Sequence, residues 1–224
     1  MKEVFEKIVG NFTKHFEDNH DKDFTTQNVK SCMGIYEMCL AYNPDTVIEM
    51  GTNHGASTLS ICLAMTKNGK SLSAITTMDL SHKAWSEAAE IHKDVPEIAA
   101  MDLSQVKYIT GDFKDLEPLK RDGRVLVFYD IHDHTYPLSE KFLDEWLIEI
   151  KNGMILIHDM SIVADDYALP QVDTKRSKAK CNNGNTYAGF AECEVFIKFA
   201  NDNGATVKSF HSGISFEVKD GKFV

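Results

Sequence analysis

Five short apolar segments alternate with segments of helical periodicity, and this alternation constrains the fold of the 224-residue chain more than any other feature. The apolar segments are Thr46–Met50, Ser73–Met78, Val106–Thr110, Val125–Tyr129 and Met154–Ile157. The fourth is almost entirely apolar, as is typical of a parallel strand covered on both faces. The alternation predicts an α/β fold with a largely parallel sheet and helices on both faces. Residues 206–210 and 214–218 add two strands that favour an antiparallel C-terminal hairpin.

Helical periodicity fills the intervals between the strands. The predicted helices are residues 1–20, about 26–41, 56–65, 84–91, 115–120, 139–150 and 192–200. Thr25 or Thr26 can cap the second of these helices. Because no linker rich in Pro, Gly or Ser interrupts the sequence, we expect residues 1–224 to form a single domain. Residues 1–23 would be its N-terminal helix and a polar break, and residues 165–187 a polar connection without a clear period.

The charge balance excludes some classes of partner. The chain carries 34 acidic and 24 basic residues, a formal net charge of -10, and such a surface repels phosphate backbones. We therefore expect no nucleic-acid partner and no attachment to anionic membranes. The sequence has no apolar run near the roughly 18 residues that a membrane span requires, and its five cysteines show no CxxC spacing. These features predict a cytoplasmic protein without a disulfide framework.

Acidic and histidine side chains collect where the predicted strands end. These residues are Glu49, Asp79, Asp112, Asp130, His132, His134, His158 and Asp159. Ligands of open parallel sheets bind outside the carboxyl ends of the strands. One such Asp is equally well explained as a cap for the next helix. The repetition at every central strand is what favours a site at this edge.

The turn after the first strand carries the most specific motif. Glu49-x-Gly51-x-x-x-Gly55-x-Ser57-Thr58 joins a strand to a helix. Glycines permit a sharp turn and close approach of a ligand, and the helix N-terminus offers N–H groups to a carboxylate or phosphate. The spacing is not the G-x-G-x-x-G of dinucleotide-binding folds, and no Lys follows Gly55 as in a P-loop. Both nucleotide interpretations are therefore disfavoured.

This turn resembles the cofactor loop of class I S-adenosylmethionine-dependent methyltransferases, above all the small-molecule O-methyltransferase branch with its catechol O-methyltransferase-like and macrocin-type enzymes. The order of elements agrees over about residues 24–220. Further matches are Asp79, Gly111–Phe113, Phe128–Asp130 with Tyr136, and Gly153–Asp159, each at the end of a strand. The resemblance implies a Rossmann-like class I methyltransferase fold: a seven-stranded, mostly parallel sheet with an antiparallel C-terminal hairpin.

The resemblance also implies which residues hold the methionine part of the cofactor. Backbone around Gly51 and Gly55 would cradle it, and Ser57 would lie near its carboxylate. Glu49 and Asn53 belong to the same loop and are included among the cofactor-binding residues.

For the nucleoside part of the cofactor, the resemblance implies a second group of contacts. Asp79 would accept hydrogen bonds from the ribose hydroxyls. Asp112 would take the adenine amino group, or Phe113 would pack on the adenine face. His132 stands where an aromatic residue stacks on adenine in the catechol-type enzymes.

In this branch a divalent metal binds through acids at the ends of the fourth and fifth strands, and Asp130 and Asp159 occupy those positions. Such oxygen ligands suit Mg2+, which would orient two substrate oxygens and lower the pKa of the acceptor hydroxyl. Two positions differ from the catechol-type pattern. Met160 stands where an Asn is the third ligand, and Asp133 where a catalytic Lys is expected. A thioether does not replace Asn on Mg2+.

The histidines after the fourth strand offer two chemistries. His134-Thr135-Tyr136 resembles the His-x-Tyr segment of macrocin-type relatives, so His134 would take the proton of an acceptor hydroxyl while Asp130 assists. Alternatively, His132 and His134 would bind Zn2+, Mn2+ or Fe2+ together with Asp130 and Asp159. A third possibility is that His134 has no chemical role and is a loop histidine hydrogen-bonded to backbone.

Two segments keep two interpretations each. The stretch 165–187, with its basic run Lys175–Lys180, is either a solvated surface or a substrate loop that closes over an anionic ligand or the acidic site. The N-terminal helix either covers the pocket or pairs subunits into a homo-oligomer.

The leading hypothesis is a methyltransferase that acts on a hydroxyl of a small molecule with S-adenosylmethionine as cofactor. A metal-dependent oxygenase similar to the cephalosporin hydroxylase-like proteins would keep the fold and use the His132, His134, Asp130 and Asp159 set. A non-catalytic binding protein that retains the fold is the third hypothesis.

Overall fold

The computed structural model describes residues 1–15, 22–81, 83–131, 137–158, 161–163, 176–180, 186–190, 193–210 and 213–224. The chain divides into two compact units, Met1–Asp112 and Phe113–Val224. We call them the first and the second unit and describe each by itself. The expectation of a single domain stays a prediction.

Three parallel strands form the sheet of the first unit. They are β1 (Thr46–Met50), β2 (Ile75–Asp79) and β3 (Lys107–Thr110), and β2 lies between the other two. Met50 is paired with Met78, and Asp79 with Thr110. The strands therefore end at one common edge of the sheet, which brings their following turns together.

Within the described residues of this unit, five α-helices accompany the sheet. They are α1 (Lys2–His15), α2 (Lys22–Tyr42), α3 (Ala56–Lys67), α4 (Lys83–Ile91) and α5 (Pro96–Ala99). The buried side chains of α1 recur every three to four residues, so one stripe of the helix packs against α2, α3 and α4. Its buried residues are Val4, Phe5, Ile8, Val9 and Phe12. The α3 helix is instead buried continuously from Thr58 to Met65, as expected of a helix inside the unit.

The main sheet of the second unit combines parallel and antiparallel strands. Strand β4 (Val125–Tyr129) runs parallel to β5 (Asn152–His158). Strand β10 (Gly213–Lys219) runs antiparallel to β5. Strands β9 (Lys208–Phe210) and β11 (Lys222–Phe223) both pair antiparallel with β10. With β1–β3, the strands β4, β5, β9 and β10 correspond to the seven that were expected, and β11 is a further strand that the sequence analysis did not predict. The predicted α/β fold, mostly parallel with an antiparallel C-terminal hairpin, is confirmed.

A small antiparallel sheet occupies the segment in which the sequence shows no period. Strand β8 (Thr186–Phe190) pairs with β6 (Ser161–Val163) on one side and β7 (Arg176–Lys180) on the other. The prediction of an irregular connection over 165–187 is therefore wrong at 176–180 and at 186–187. The polar residues concealed these strands, because hydrophobic alternation is the signal that identifies a strand in a sequence.

The remaining helices differ from expectation in detail. No helix spans 115–120; a 3-10 turn covers Phe113–Asp115 instead, and Pro118 disfavours helical backbone at the residue before it. The predicted helix 139–150 consists of α6 (Pro137–Lys141), a π-helical turn (Phe142–Trp146) and a 3-10 turn (Leu147–Glu149). The last helix, α7, spans Cys193–Asp202. In the described part of the chain, no helix is both long and apolar enough to cross a membrane.

Candidate functional site

The turn between β1 and α3 has a backbone that only special residues adopt readily. Gly51, Asn53 and Gly55 have φ angles of 94°, 44° and 82°. Left-handed backbone is unstrained for glycine and tolerated by Asn. A Cβ atom at Gly55 would lie 3.1 Å from the Trp85 ring, so the chain also needs glycine there for space. The predicted glycine turn is thus required by conformation at 51 and by both conformation and packing at 55.

Hydrogen bonds fix this turn to the end of β2. The N–H groups of Gly51 and Thr52 donate to the Met78 carbonyl at 2.9 and 3.3 Å. Gly55 N–H donates to the Thr52 carbonyl at 2.7 Å and closes the turn. The backbone of residues 51–55 is therefore held in place before any ligand binds.

Helix α3 begins directly at this turn. Gly55 is its N-cap and has no side-chain cap. N–H groups in the first turn of a helix lack intrahelical partners and favour a carboxylate or phosphate. Ser57 is half-buried in that first turn, and its expected place near the cofactor carboxylate stays a prediction.

Glu49 lies beneath the turn, fully buried on β1. Its Oε2 accepts hydrogen bonds from Thr58 Oγ1 at 2.5 Å and from Thr77 Oγ1 at 2.6 Å. Because Thr77 gives its only hydroxyl proton to Glu49, Thr52 is the donor in its 2.5 Å contact with Thr77. One carboxylate therefore links β1, β2, the turn and the start of α3. The contacts described for Glu49 are with protein side chains, and its expected contact with a cofactor stays a prediction.

Asp79 stands at the edge of the sheet, where β2 ends. Its Oδ2 accepts the Asn53 N–H and its Oδ1 the Leu80 N–H, both at 2.6 Å. A carboxylate has about four acceptor sites, so these two bonds orient Asp79 and leave it capacity for a ligand. The Gly111 N–H also donates to the Asp79 carbonyl at 3.0 Å, which brings the segment after β3 to the same place.

Tyr108 is a member of this edge that the sequence analysis missed. Its hydroxyl donates to the Ser81 carbonyl at 2.6 Å and interacts with the Thr52 side chain. Burial, together with the negative charges of Asp79 and Glu49, raises the pKa of Tyr108 to about 12. The phenol is therefore neutral and a hydrogen-bond donor. Tyr108 lies on β3 and is paired with Thr77 of β2. Only the register of the two strands reveals this neighbour.

An aromatic group packs beside the turn. Phe12 of α1 would lie 3.8 Å from a Cβ at Gly55, and its ring centroid is 6.3 Å from that of His54 and 4.4 Å from that of His92. His92 is fully buried, and burial lowers its pKa to about 4. Its side chain is therefore neutral, and His54 packs against α1 at the start of the next helix. The N-terminal helix thus contacts the turn between β1 and α3.

The predicted adenine residues fall on either side of the division between the units. Asp112 is half-buried at the end of the first unit. Phe113, in the second unit, is 5% exposed, and its ring packs against Trp146 with centroids 5.0 Å apart. The adenine contacts stay predictions for both residues.

In the second unit, Asp130 and His158 form a close pair. Tyr129 of β4 is opposite Ile157 of β5, so the next residue of each strand, Asp130 and His158, also face each other. His158 Nδ1 lies 3.0 Å from Asp130 Oδ1, and the side chains are only 15% and 21% exposed. The sequence analysis named His158 only as one of the residues at the strand ends; strand register explains why its neighbour is Asp130.

Several predicted residues lie outside the described part of the chain. They are His132, His134, Asp159 and, with them, Met160 and Asp133. Within the residues that are described, no cluster of three His, Cys, Asp or Glu side chains suited to a metal is found. The predicted base and metal site therefore stay predictions.

Comparison of the sequence with known protein families identifies one family that matches this chain. A family model described as a methyltransferase domain matches residues 48–160, or 113 of the 224 residues. No curated protein matches the sequence.

Similar solved structures include three methyltransferases. The SAH-bound methyltransferase PaMTH1 of Podospora anserina is 15% identical, with 82% of this chain and 87% of that chain covered and a TM-score of 0.46. The O-methyltransferase of Bacillus cereus in complex with SAH is 16% identical, with coverages of 84% and 90% and a TM-score of 0.42. A methyltransferase of Geobacter sulfurreducens is 12% identical, with coverages of 83% and 89% and a TM-score of 0.44.

Proposed function

The chain belongs to the methyltransferase-domain family, and we propose that it uses S-adenosylmethionine to methylate a hydroxyl group of a small molecule. The observation that carries the proposal is the hydrogen bond from Asn53 N–H to Asp79 Oδ2. This bond joins the glycine turn to the acid at the end of the next strand. Those are the two elements that would hold the methionine and the ribose of one cofactor molecule.

The residues present fit such a cofactor. The turn at Gly51–Gly55 has no bulky side chain at its two glycines, and the start of α3 supplies N–H groups for a carboxylate. Asp79 is already oriented and keeps acceptor capacity for two ribose hydroxyls. Asp112 is half-buried close behind Gly111, whose N–H is bonded to the Asp79 carbonyl, in the position assigned to the adenine amino group.

Methyl transfer to oxygen makes few demands on the protein beyond positioning and removal of a proton. When bound, the sulfonium cofactor supplies an activated methyl group. The protein must hold the acceptor oxygen in line with it, and alignment of this kind contributes much of the rate. Asp130, which is only 21% exposed, would orient the acceptor, and His134 would accept the hydroxyl proton.

A divalent metal would assist this step. Asp130 and Asp159 would hold it, and it would supply Lewis-acid polarisation of the acceptor oxygen. Asp130 Oδ1 lies 3.0 Å from His158 Nδ1. Carboxylate oxygens are the ligands that hard divalent cations such as Mg2+ prefer.

Binding of S-adenosylhomocysteine (SAH), measured by titration calorimetry, tests the cofactor site. We expect micromolar binding by the wild-type chain. Asp79→Ala should lose at least 100-fold in affinity, because Asp79 would accept two ribose hydrogen bonds, each such bond to a charged group contributes about 1.5–3 kcal/mol, and every 1.4 kcal/mol is about tenfold in affinity. Asp102→Ala is the matched control. Asp102 is an exposed acid of the same unit that also accepts hydrogen bonds from its own loop, here from Ser104 and Gln105. Its removal should change the affinity less than twofold.

A second measurement separates cofactor binding from chemistry. Asp130→Asn should abolish methyl transfer to the acceptor, once an acceptor has been found by screening hydroxylated metabolites, and leave SAH affinity unchanged. Asp144→Asn, which changes an exposed acid of the same unit, should retain turnover. Wild-type protein that binds no SAH would refute the proposed function, and full turnover by Asp130→Asn would refute the role of Asp130.

A further inference from the structure

The segment that follows β2 is bonded to a tyrosine of the neighbouring strand. The Tyr108 hydroxyl donates to the Ser81 carbonyl at 2.6 Å. Tyr108 lies on β3, and Ser81 lies just beyond the end of β2. Leu80 is 71% exposed and Ser81 is exposed as well, so hydrophobic packing contributes little to the position of this segment. The phenol therefore anchors an exposed piece of backbone to the sheet.

The same segment carries one of the two donors that orient Asp79. The Leu80 N–H donates to Asp79 Oδ1, whereas the Asn53 N–H of the glycine turn donates to Asp79 Oδ2. Because Ser81 directly follows Leu80, a backbone held at the Ser81 carbonyl has little freedom to rotate the Leu80 N–H away from the carboxylate. Loss of the phenol hydroxyl would release the Oδ1 side and leave the Oδ2 side fixed.

The Tyr108 hydroxyl also reaches the glycine turn. It interacts with the side chain of Thr52, the residue before Asn53. Thr52 gives its own hydroxyl proton to Thr77, which gives its proton to Glu49, so the phenol is the donor in its contact with Thr52. One hydroxyl therefore contacts both of the segments whose N–H groups hold Asp79.

We propose that Tyr108 is a positioning residue for the ribose of the cofactor: it holds the Ser81 carbonyl and thereby keeps the Asp79 carboxylate aimed at the two ribose hydroxyls. This role rests on the proposed function, which assigns those hydroxyls to Asp79. Tyr108 acts through Asp79 and not on the reacting atoms. It orders the Asp79 acceptors before the cofactor arrives, which reduces the entropy that binding must cost.

The size of this effect is limited by the hydrogen bond that supplies it. One hydrogen bond between neutral groups corresponds to about fivefold in affinity. Only a ligand with ribose hydroxyls benefits from an oriented Asp79. An SAH analogue that lacks both hydroxyls gives Asp79 nothing to accept, so its binding should not depend on Tyr108.

Titration calorimetry of the full chain with SAH and with the analogue that lacks both ribose hydroxyls tests this role. Tyr108→Phe keeps the ring on β3 and should lose about fivefold in affinity for SAH, but less than about twofold for the analogue. In an Asp79→Ala background, the same change should alter SAH affinity less than about twofold.

Tyr36→Phe is the matched control. It removes the hydroxyl of another tyrosine of the first unit and keeps the ring, which packs against Phe5 with centroids 5.6 Å apart. Both affinities should stay at the wild-type values.

Three results would overturn the role of Tyr108. Equal losses for SAH and the analogue in Tyr108→Phe would mean that Tyr108 only supports the structure of β3. An unchanged SAH affinity would mean that the glycine turn orients Asp79 without the phenol. A full fivefold loss in the Asp79→Ala background would mean that Tyr108 acts independently of Asp79.

The wild-type titrations separate this role from the proposed function. Equal affinity for SAH and the analogue would overturn the ribose role of Asp79, and that of Tyr108 with it, while the cofactor proposal would stand. Wild-type protein that binds neither ligand would refute the proposed function itself.

Discussion

Replacing Thr77 by Val should destabilise the first unit by about 3 kcal/mol, because the hydroxyl makes two hydrogen bonds at a buried carboxylate. Thr77 Oγ1 donates to Glu49 Oε2 at 2.6 Å and accepts from Thr52 Oγ1 at 2.5 Å. Glu49 and Thr77 are fully buried and Thr52 is 1% exposed, so water cannot restore these bonds. A hydrogen bond to a charged group contributes about 1.5–3 kcal/mol and one between neutral groups about 1 kcal/mol. Valine has nearly the shape of threonine, so no cavity adds to the loss.

The two tryptophans make the measurement local. Trp85 belongs to the first unit and Trp146 to the second. In a Trp146→Phe background, Trp85 fluorescence during urea unfolding reports the first unit. With a dependence of about 3 kcal/mol per molar urea, Thr77→Val should lower the midpoint by about 1 M.

Thr58→Val is the matched control for this prediction. Thr58 donates one hydrogen bond to the same carboxylate oxygen, at 2.5 Å, and is equally buried. Its loss should cost about 2 kcal/mol, less than the loss at Thr77. A change below about 0.5 kcal/mol for Thr77→Val, or a larger effect for Thr58→Val, would refute the reasoning that Glu49 organises the turn.

The thiols of Cys32 and Cys39 should resist a thiol-specific reagent at pH 8 in the folded chain, because burial raises their pKa values to about 11 and about 12; rapid labelling located by peptide mapping would contradict this. His92 has a pKa lowered to about 4 by burial, so below pH 6.5 the unfolded chain gains a proton that the folded chain does not take up. Its stability contribution is complete above about pH 6.5 and falls by about 1–2 kcal/mol on lowering the pH to 5. Unfolding curves of the wild type and of His92→Gln should differ in that slope, and parallel curves would exclude the effect. Phe12→Ala should weaken SAH binding at least fivefold, because the ring packs beside Gly55, while Phe12→Leu should lose less; unchanged calorimetric affinity would exclude a role for α1 at the cofactor loop.

The fold, the glycine turn and the position of Asp79 could be predicted because their signals are local. The bounds of β1 and β4 agree with the apolar segments that predicted them. The left-handed backbone at Gly51, Asn53 and Gly55 follows from residue types that tolerate it. Asp79 was expected at the end of a strand, and the structure adds that its carboxylate is fixed by backbone donors from the turn.

What the sequence analysis missed depends on contacts between distant segments. Tyr108 lies near Thr52 only because β3 pairs with β2 in one particular register. The strands at 176–180 and 186–190 pair with each other in an antiparallel sheet. The composition of either strand alone does not identify it as a strand. The cytoplasmic location, the small-molecule acceptor, the absence of a nucleic-acid partner and the homo-oligomer stay predictions.

The sequence by itself determined the alternation of strands and helices, the glycine turn and the acids at the strand ends, since hydrophobic period and backbone tolerance are properties of neighbouring residues. Only the tertiary structure decided which of those side chains meet. Glu49 is bonded to threonines on two other elements, whereas Asp130 faces a histidine 28 residues away along the chain. Both outcomes follow from strand register, and register depends on how whole strands bury their faces against one another.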